Sequence, residues 1–138
     1  MKLWIIKLLH LKWINDELIK IKFPTVGNRI SLSKNLNGNG NRARLNCIHF
    51  GLKKKFNILI NKNNWFDIHK DKNNKQDIAL LLGLGNYTGG ELITHYDNKE
   101  IKKVYDIFFK PITFKNKTIY HSVKQYKGDR YSIITYLI

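Results

Sequence analysis

Three observations predict a mainly β chain (α+β) with a short helical segment at its N-terminus. Runs rich in β-branched and aromatic residues recur towards the C-terminus, separated by polar or glycine-containing stretches. His69 and Asp71 stand two apart, the spacing that puts two side chains on one face of an extended strand. Near the start, Ile14, Leu18 and Ile21 instead recur at helical spacing beside Asp16 and Glu17.

At 138 residues the chain reads as a single domain, residues 1–138, long enough to bury a core. Residues 1–30 form the N-terminal helical segment. The first eleven residues are apolar but interrupted by Lys7 and His10, too short to span a bilayer and without a small-residue cleavage site, so they read as packed structure. The helix is expected to end before Pro24. Residues 31–44, with Asn37-Gly38-Asn39-Gly40-Asn41, have no apolar period and read as an ordinary flexible loop rather than a lid. Residues 45–138 are the β core. Its strands are expected at 42–50, 56–60, 78–84, 91–96, 104–109, 111–114 and 119–126, followed by a tight turn at Lys127-Gly128-Asp129 that starts a hairpin into the last strand.

The chemistry gathers at the strand ends. His69, Asp71 and the distant His121 supply two imidazoles and one carboxylate, a set that holds Fe(II) on three corners of an octahedron and leaves three open. On the last strand Arg130, Ser132, Ile134 and Tyr136 share one face, so a guanidinium fork and a hydroxyl converge beside the strand of His121 and suit a buried carboxylate. His95-Tyr96-Asp97 repeats the His-x-Asp spacing, but too little chain separates it from His121 for the intervening strands. His95 therefore reads as a surface residue. His10 and His49 have no carboxylate at ligand spacing.

Taken in order, Asn61-Lys62, His69-Lys70-Asp71, Leu84-Gly85-Asn86-Tyr87-Thr88-Gly89-Gly90-Glu91-Leu92, Phe114, His121 and Gly128-Asp129-Arg130-Tyr131-Ser132 resemble the Fe(II)/2-oxoglutarate-dependent dioxygenases. The resemblance runs from about residue 45 to the C-terminus. It implies a double-stranded β-helix of the jelly-roll or cupin-like kind. It implies an oxygenase that uses Fe(II), 2-oxoglutarate and O2 to hydroxylate a substrate, releasing succinate and CO2. His69, Asp71 and His121 are then the catalytic metal ligands. Arg130, helped by Ser132, pairs with the distal carboxylate of 2-oxoglutarate, and Asn61 hydrogen-bonds the co-substrate or a loop. The Gly89-Gly90 step becomes a turn into the next strand, and Tyr87 and Tyr131 become packing residues.

A net charge of +15 and a pI near 9.9 favour anionic partners such as nucleic acid. The excess is mostly lysine, spread along a chain equally heavy in Asn and Ile, as genomic A and T bias produces. Lys53-Lys54-Lys55 and the lysines of 99–103 are the local clusters, and each reads as a solvated face. Nucleic acid stays among the candidate substrates. The alternative to an oxygenase is a catalytically silent β-helix module that binds nucleic acid through its basic surface. The lone Cys47 excludes an internal disulfide and fits an intracellular setting, cytoplasm or nucleus. Neither a phosphate-binding glycine loop nor a cysteine zinc pattern occurs, which removes nucleotide hydrolases and zinc fingers. One further reading takes so short a chain as a fragment of a longer protein.

Overall fold

Leu11, Ile14 and Leu18 lie on one side of a helix and give it a face to bury. The computed structural model describes residues 8–21, 23, 29–31 and 56–137. Helix α1 spans Leu8–Ile19, and those three residues pack with Ile21 and Phe23, just beyond it, against Ile58, Ile60, Leu82, Leu84, Tyr131 and Ile133. At roughly 1.5–3 kcal/mol for each large apolar side chain buried, this contact is enough to dock a short helix. The helix closes with Lys20 N donating to Glu17 O and Ile21 N donating to Leu18 O. Gly85 N donates to the Asn15 side-chain oxygen at 2.6 Å, which fixes the helix to the sheet.

Among the described residues eight strands follow: β1 Arg29–Ser31, β2 Phe56–Lys62, β3 Ala79–Gly89, β4 Leu92–His95, β5 Ile101–Tyr105, β6 Ile112–Phe114, β7 Tyr120–Val123 and β8 Tyr126–Leu137. They form a five-stranded sheet of order β1-β2-β8-β3-β6 and a three-stranded sheet of order β5-β4-β7, with every named pair antiparallel. The described residues form a mainly β, jelly-roll-like architecture with a short N-terminal helix, as the sequence pattern and its resemblance imply. Among the described residues, no helix is long and apolar enough to cross a membrane.

Strand alternation divides the large sheet into two faces. Ile58 and Ile60 of β2, Leu82 and Leu84 of β3, and Tyr131 and Ile133 of β8 meet the helix. Leu81 joins Ala79, Leu92, Ile107 and Phe114 in a second cluster, to which Ile134 and Tyr136 of β8 add partly buried packing. A cavity of about 160 Å³ opens on this inner face.

Several expected boundaries move. Lys127-Gly128-Asp129 is not a turn. It lies inside β8, paired with Asn86, Tyr87 and Thr88, so the chain passes from β7 in the small sheet to β8 in the large one, and no hairpin forms. Gly128 is needed there because of a close approach: its φ is 104°, and a Cβ would meet Asn86 O at 2.3 Å. The strand expected at 104–109 is β5, ending at Tyr105. Beyond it Gly83 N donates to Ile107 O and Phe109 N to Gly83 O, which diverts the chain onto β3. A strand not read from the sequence, β1, occupies the end of the N-terminal segment. The expected strand at 42–50, Cys47, His49, the Lys53-Lys54-Lys55 cluster and all of the 31–44 loop except Ser31 lie outside the described residues.

Candidate metal centre

The His69 segment reaches the small sheet as a single bridge. His69 N donates to His121 O at 3.0 Å, His121 N donates back to His69 O at 2.9 Å, and Val123 N donates to Phe66 O at 3.1 Å. Two residues on, Asp71 N donates to Asn116 O, so the His-x-Asp segment is clamped at both ends of its spacing. One ligand atom from each of His69, Asp71 and His121 can be chosen so that all lie within 4.8 Å of one another.

The protonation pattern fits a metal. Each histidine donates Nδ1–H to the carbonyl two residues before it, His69 to Asp67 O at 2.7 Å and His121 to Ile119 O at 2.9 Å. That leaves Nε2 of each ring facing Asp71 across the centre, where a metal would take the place of its proton, the usual outer-shell device for a metal-binding imidazole. The Nε2 atoms stand 3.5 Å and 3.3 Å from Asp71 Oδ1 and Oδ2. Burial opposes charge on Asp71, but hydrogen bonds with His121 and His69 outweigh it and hold the carboxyl well below the usual range. The Asp71 hydrogen bond raises His69 against the opposing effect of burial. Asn116, fully buried, donates Nδ2–H to Asp71 Oδ2 at 3.0 Å, while its own Oδ1 is buried without a partner. Asp77 fastens the same loop by accepting from the backbone N–H groups of Lys117 and Thr118 and from the Thr118 hydroxyl.

Arg130, Ser132 and Asn61 line the same cavity as these three residues. Arg130 is 2% exposed. Its Nη2 donates to Gly90 O at 3.0 Å, its Cζ stands 5.5 Å and 5.4 Å from the ring centres of Tyr87 and Tyr126, and its Nε is buried without a partner. Among the described residues no carboxylate forms an ion pair with it. Burial pushes the guanidinium below its ordinary value, and the neighbouring tyrosines, with a smaller contribution from the Glu91 carboxylate, only partly offset this. Gly90, at φ 69°, is the floor of this niche: a Cβ there would lie 2.7 Å from Arg130 Nε. The side-chain oxygen of Asn61 accepts from Arg29 Nε at 2.7 Å and from Asn64 Nδ2 at 3.0 Å.

Among the solved structures that resemble this one is an oxidoreductase of the 2OG-Fe(II) oxygenase family from Burkholderia pseudomallei. It aligns with a TM-score of 0.60 and 16% identity over 93% of this chain and 77% of that one. The chain has the fold of the 2OG-Fe(II) oxygenases. A prolyl-4-hydroxylase from Pseudomonas putida and the IDO of Bacillus thuringiensis align more loosely. Their TM-scores are 0.49 and 0.42 at 16% and 15% identity, over 69% and 59% of this chain and 59% and 46% of theirs. No family model and no curated protein matches the sequence.

On this oxygenase fold, the six residues singled out in the sequence all line one cavity. His95 does not belong with them, and it is not the surface residue expected. It is buried, with Nδ1–H donating to Lys99 O at 3.0 Å and Nε2 accepting from the Ser122 hydroxyl at 2.8 Å, so neither nitrogen is left for a metal. Tyr87 and Tyr131 are buried packing residues, Tyr87 against the Arg130 guanidinium. Sequence reading missed Asn116, which sits in a Lys-Asn-Lys stretch resembling any polar turn. It also missed Arg29, whose strand is too short to show a period, and Asn63. Asn63 receives Arg130 N at its side-chain oxygen and donates its own N–H to Arg130 O.

Proposed function

We propose that the protein is an oxygenase that uses Fe(II), 2-oxoglutarate and O2 to hydroxylate a substrate, releasing succinate and CO2. In this reading His69, Asp71 and His121 hold the iron, and Arg130 pairs with the distal carboxylate of 2-oxoglutarate. Ser132 and Asn61 supply hydrogen bonds along the same wall. Bound iron supplies the redox chemistry that couples co-substrate decarboxylation to hydroxylation. The chain's own task is to orient. The histidine tautomers are set by Asp67 and Ile119 carbonyls, Asp71 is kept charged, and the apolar walls from Leu81, Leu92, Phe114 and Val123 keep water from the reacting groups.

One observation carries the reading: the buried Arg130, with no carboxylate at ion-pair distance among the described residues, on the cavity that the three ligand residues share. A buried unpaired cation costs several kcal/mol, which a dicarboxylate co-substrate returns on binding. A module that only held nucleic acid on its surface has no use for such a group. The lone Cys47 accords with a reducing compartment.

The test is thermal. With Mn(II) present, 2-oxoglutarate and its unreactive analogue N-oxalylglycine raise the melting temperature, whereas pyruvate, which lacks the distal carboxylate, does so weakly. Arg130→Leu removes the preference and Arg130→Lys recovers part of it, because a point charge replaces a fork. Equal stabilisation by pyruvate and 2-oxoglutarate in the parent protein refutes the co-substrate assignment. Succinate release after anaerobic reconstitution with Fe(II) measures turnover directly.

A further inference from the structure

A second arginine lines the cavity, and the co-substrate leaves it unused. Arg29, the first residue of β1, is paired across the sheet with Asn61, which is itself paired with Ser132 on β8. Neighbouring strands lie about 4.8 Å apart, so the Arg29 backbone stands roughly 10 Å from that of Ser132, on the rim of the same inner face. The side chain is exposed, yet its place is fixed twice over. Nε donates to the buried Asn61 side-chain oxygen at 2.7 Å, and Cζ lies 5.6 Å from the Phe66 ring centre. Among the described residues, its two Nη atoms have no hydrogen-bond partner and its charge no carboxylate. Phe66 in turn stands 5.9 Å, centre to centre, from the His69 ring, so this fork lies one aromatic residue away from the metal ligands.

A guanidinium anchored through Nε, with both Nη atoms unengaged by any described residue, is a receptor for a planar pair of anionic oxygens. We propose that Arg29 binds a carboxylate of the primary substrate, which makes small carboxylic acids, free amino acids among them, the substrate class. The proposal rests on the oxygenase reading, in which Arg130 is already taken by the co-substrate. The cavity's charge selects carboxylate over phosphate. Among the described residues that line it, the cationic side chains besides the histidines are Arg29 and Arg130. One guanidinium balances a single negative charge, whereas a phosphate monoester carries about −1.5 to −2. None of the described lysines lines the cavity. Lys70 and Lys99 lie over Tyr120, and Lys103 lies over Tyr105.

The experiment uses the full chain with Mn(II) and N-oxalylglycine, which holds the centre without turnover. The twenty common L-amino acids, a series of mono- and dicarboxylates, and the amide of each are added singly and read by melting temperature and calorimetric affinity. At least one acid is expected to stabilise the complex while its amide does not. Arg29→Gln should weaken that acid by roughly 10- to 100-fold and leave the N-oxalylglycine shift in place. Arg29→Lys should restore part of the affinity. The assignment is overturned if no acid outperforms its amide, if Arg29→Gln binds the acid as well as the parent does, or if Arg29→Gln abolishes the N-oxalylglycine shift. It is overturned as well if only nucleotides or oligonucleotides stabilise the complex. Failure of N-oxalylglycine itself to stabilise the parent protein brings down the oxygenase reading instead, so the two failures are told apart.

Discussion

Gly90→Ala tests the site through a residue that touches neither metal nor ligand. The added Cβ would lie 2.7 Å from Arg130 Nε, 3.0 Å from Arg130 Cδ and 3.1 Å from Tyr87 Cε2, at a backbone φ of 69°. Left-handed strain in a non-glycine residue costs about 1–3 kcal/mol. Displacing the guanidinium also disturbs its 3.0 Å bond to Gly90 O, and bonds to charged groups are worth about 1.5–3 kcal/mol. Gly89→Ala is the control. Its φ is 81° and its Cβ would meet Gln125 O, so the strain is comparable but no contact with Arg130 is involved. Both variants should lose stability in urea titrations, but only Gly90→Ala should also lose co-substrate affinity. If misplacing the fork forfeits about 1.5–3 kcal/mol of pairing, binding of N-oxalylglycine with Mn(II) weakens roughly 10- to 100-fold by calorimetry. Equal affinities in the two alanine variants would show that Gly90 does not position the arginine, and the account of that niche would fall.

Two further outcomes follow from the centre. His69→Ala, Asp71→Ala and His121→Ala should each abolish Fe(II)-dependent turnover of 2-oxoglutarate, whereas His95→Ala should keep metal binding while losing about 1–3 kcal/mol of stability, because it strands the buried Ser122 hydroxyl and frees the Lys99 carbonyl; loss of metal binding in His95→Ala alone would reverse the assignment. In the metal-free protein, His69, raised from 6.5, stabilises fully below that value and loses its contribution as pH rises through its raised value, while the lowered Asp71 stabilises above 3.8 and loses its contribution only in stronger acid. The metal-free melting temperature should therefore fall from mildly acidic to alkaline pH relative to His69→Ala, and stabilisation by Mn(II) should grow over the same range as protons leave the imidazole; parallel curves for parent and variant would refute this.

Alternation by two made the last strand legible. Arg130, Ser132, Ile134 and Tyr136 were placed on one face by spacing alone, and all four line the cavity. The His-x-Asp segment was legible for the same reason, although it forms one bridge rather than a strand. What stayed hidden depends on partners far away in sequence. Gly128-Asp129 has the composition of a turn, yet the glycine is required because the Asn86 carbonyl crosses it, 42 residues earlier in the chain. His95 is polar and adjoins Tyr96 and Asp97, so it reads as surface; its burial follows from Ser122, 27 residues on, supplying a hydroxyl. Arg29 meets Asn61 across a gap of 32 residues, and a strand of three residues has no period to announce it.

The chemistry of the cavity therefore depends on the register of β8. That strand is central, between β2 and β3, and a slip of one residue would turn Tyr131 and Ile133 into the cavity and Arg130 into the apolar cluster beneath the helix. The burial pattern alone opposes such a slip, and Asn63 adds a local lock. Its side-chain oxygen accepts from Arg130 N at 2.7 Å, its N–H donates to Arg130 O at 2.8 Å, and its Nδ2 donates to Asp129 Oδ1 at 3.1 Å. These bonds require Asn63 at φ 54°, a conformation that asparagine tolerates better than most residues. On the other side Gly85 pairs with Arg130 and Gly83 with Ser132, so β3 presents no side chain at the two positions facing the fork and the hydroxyl. The arginine is thus held by backbone pairing on both flanks before any ligand arrives, which is how a chain this short keeps a buried guanidinium aimed into the cavity.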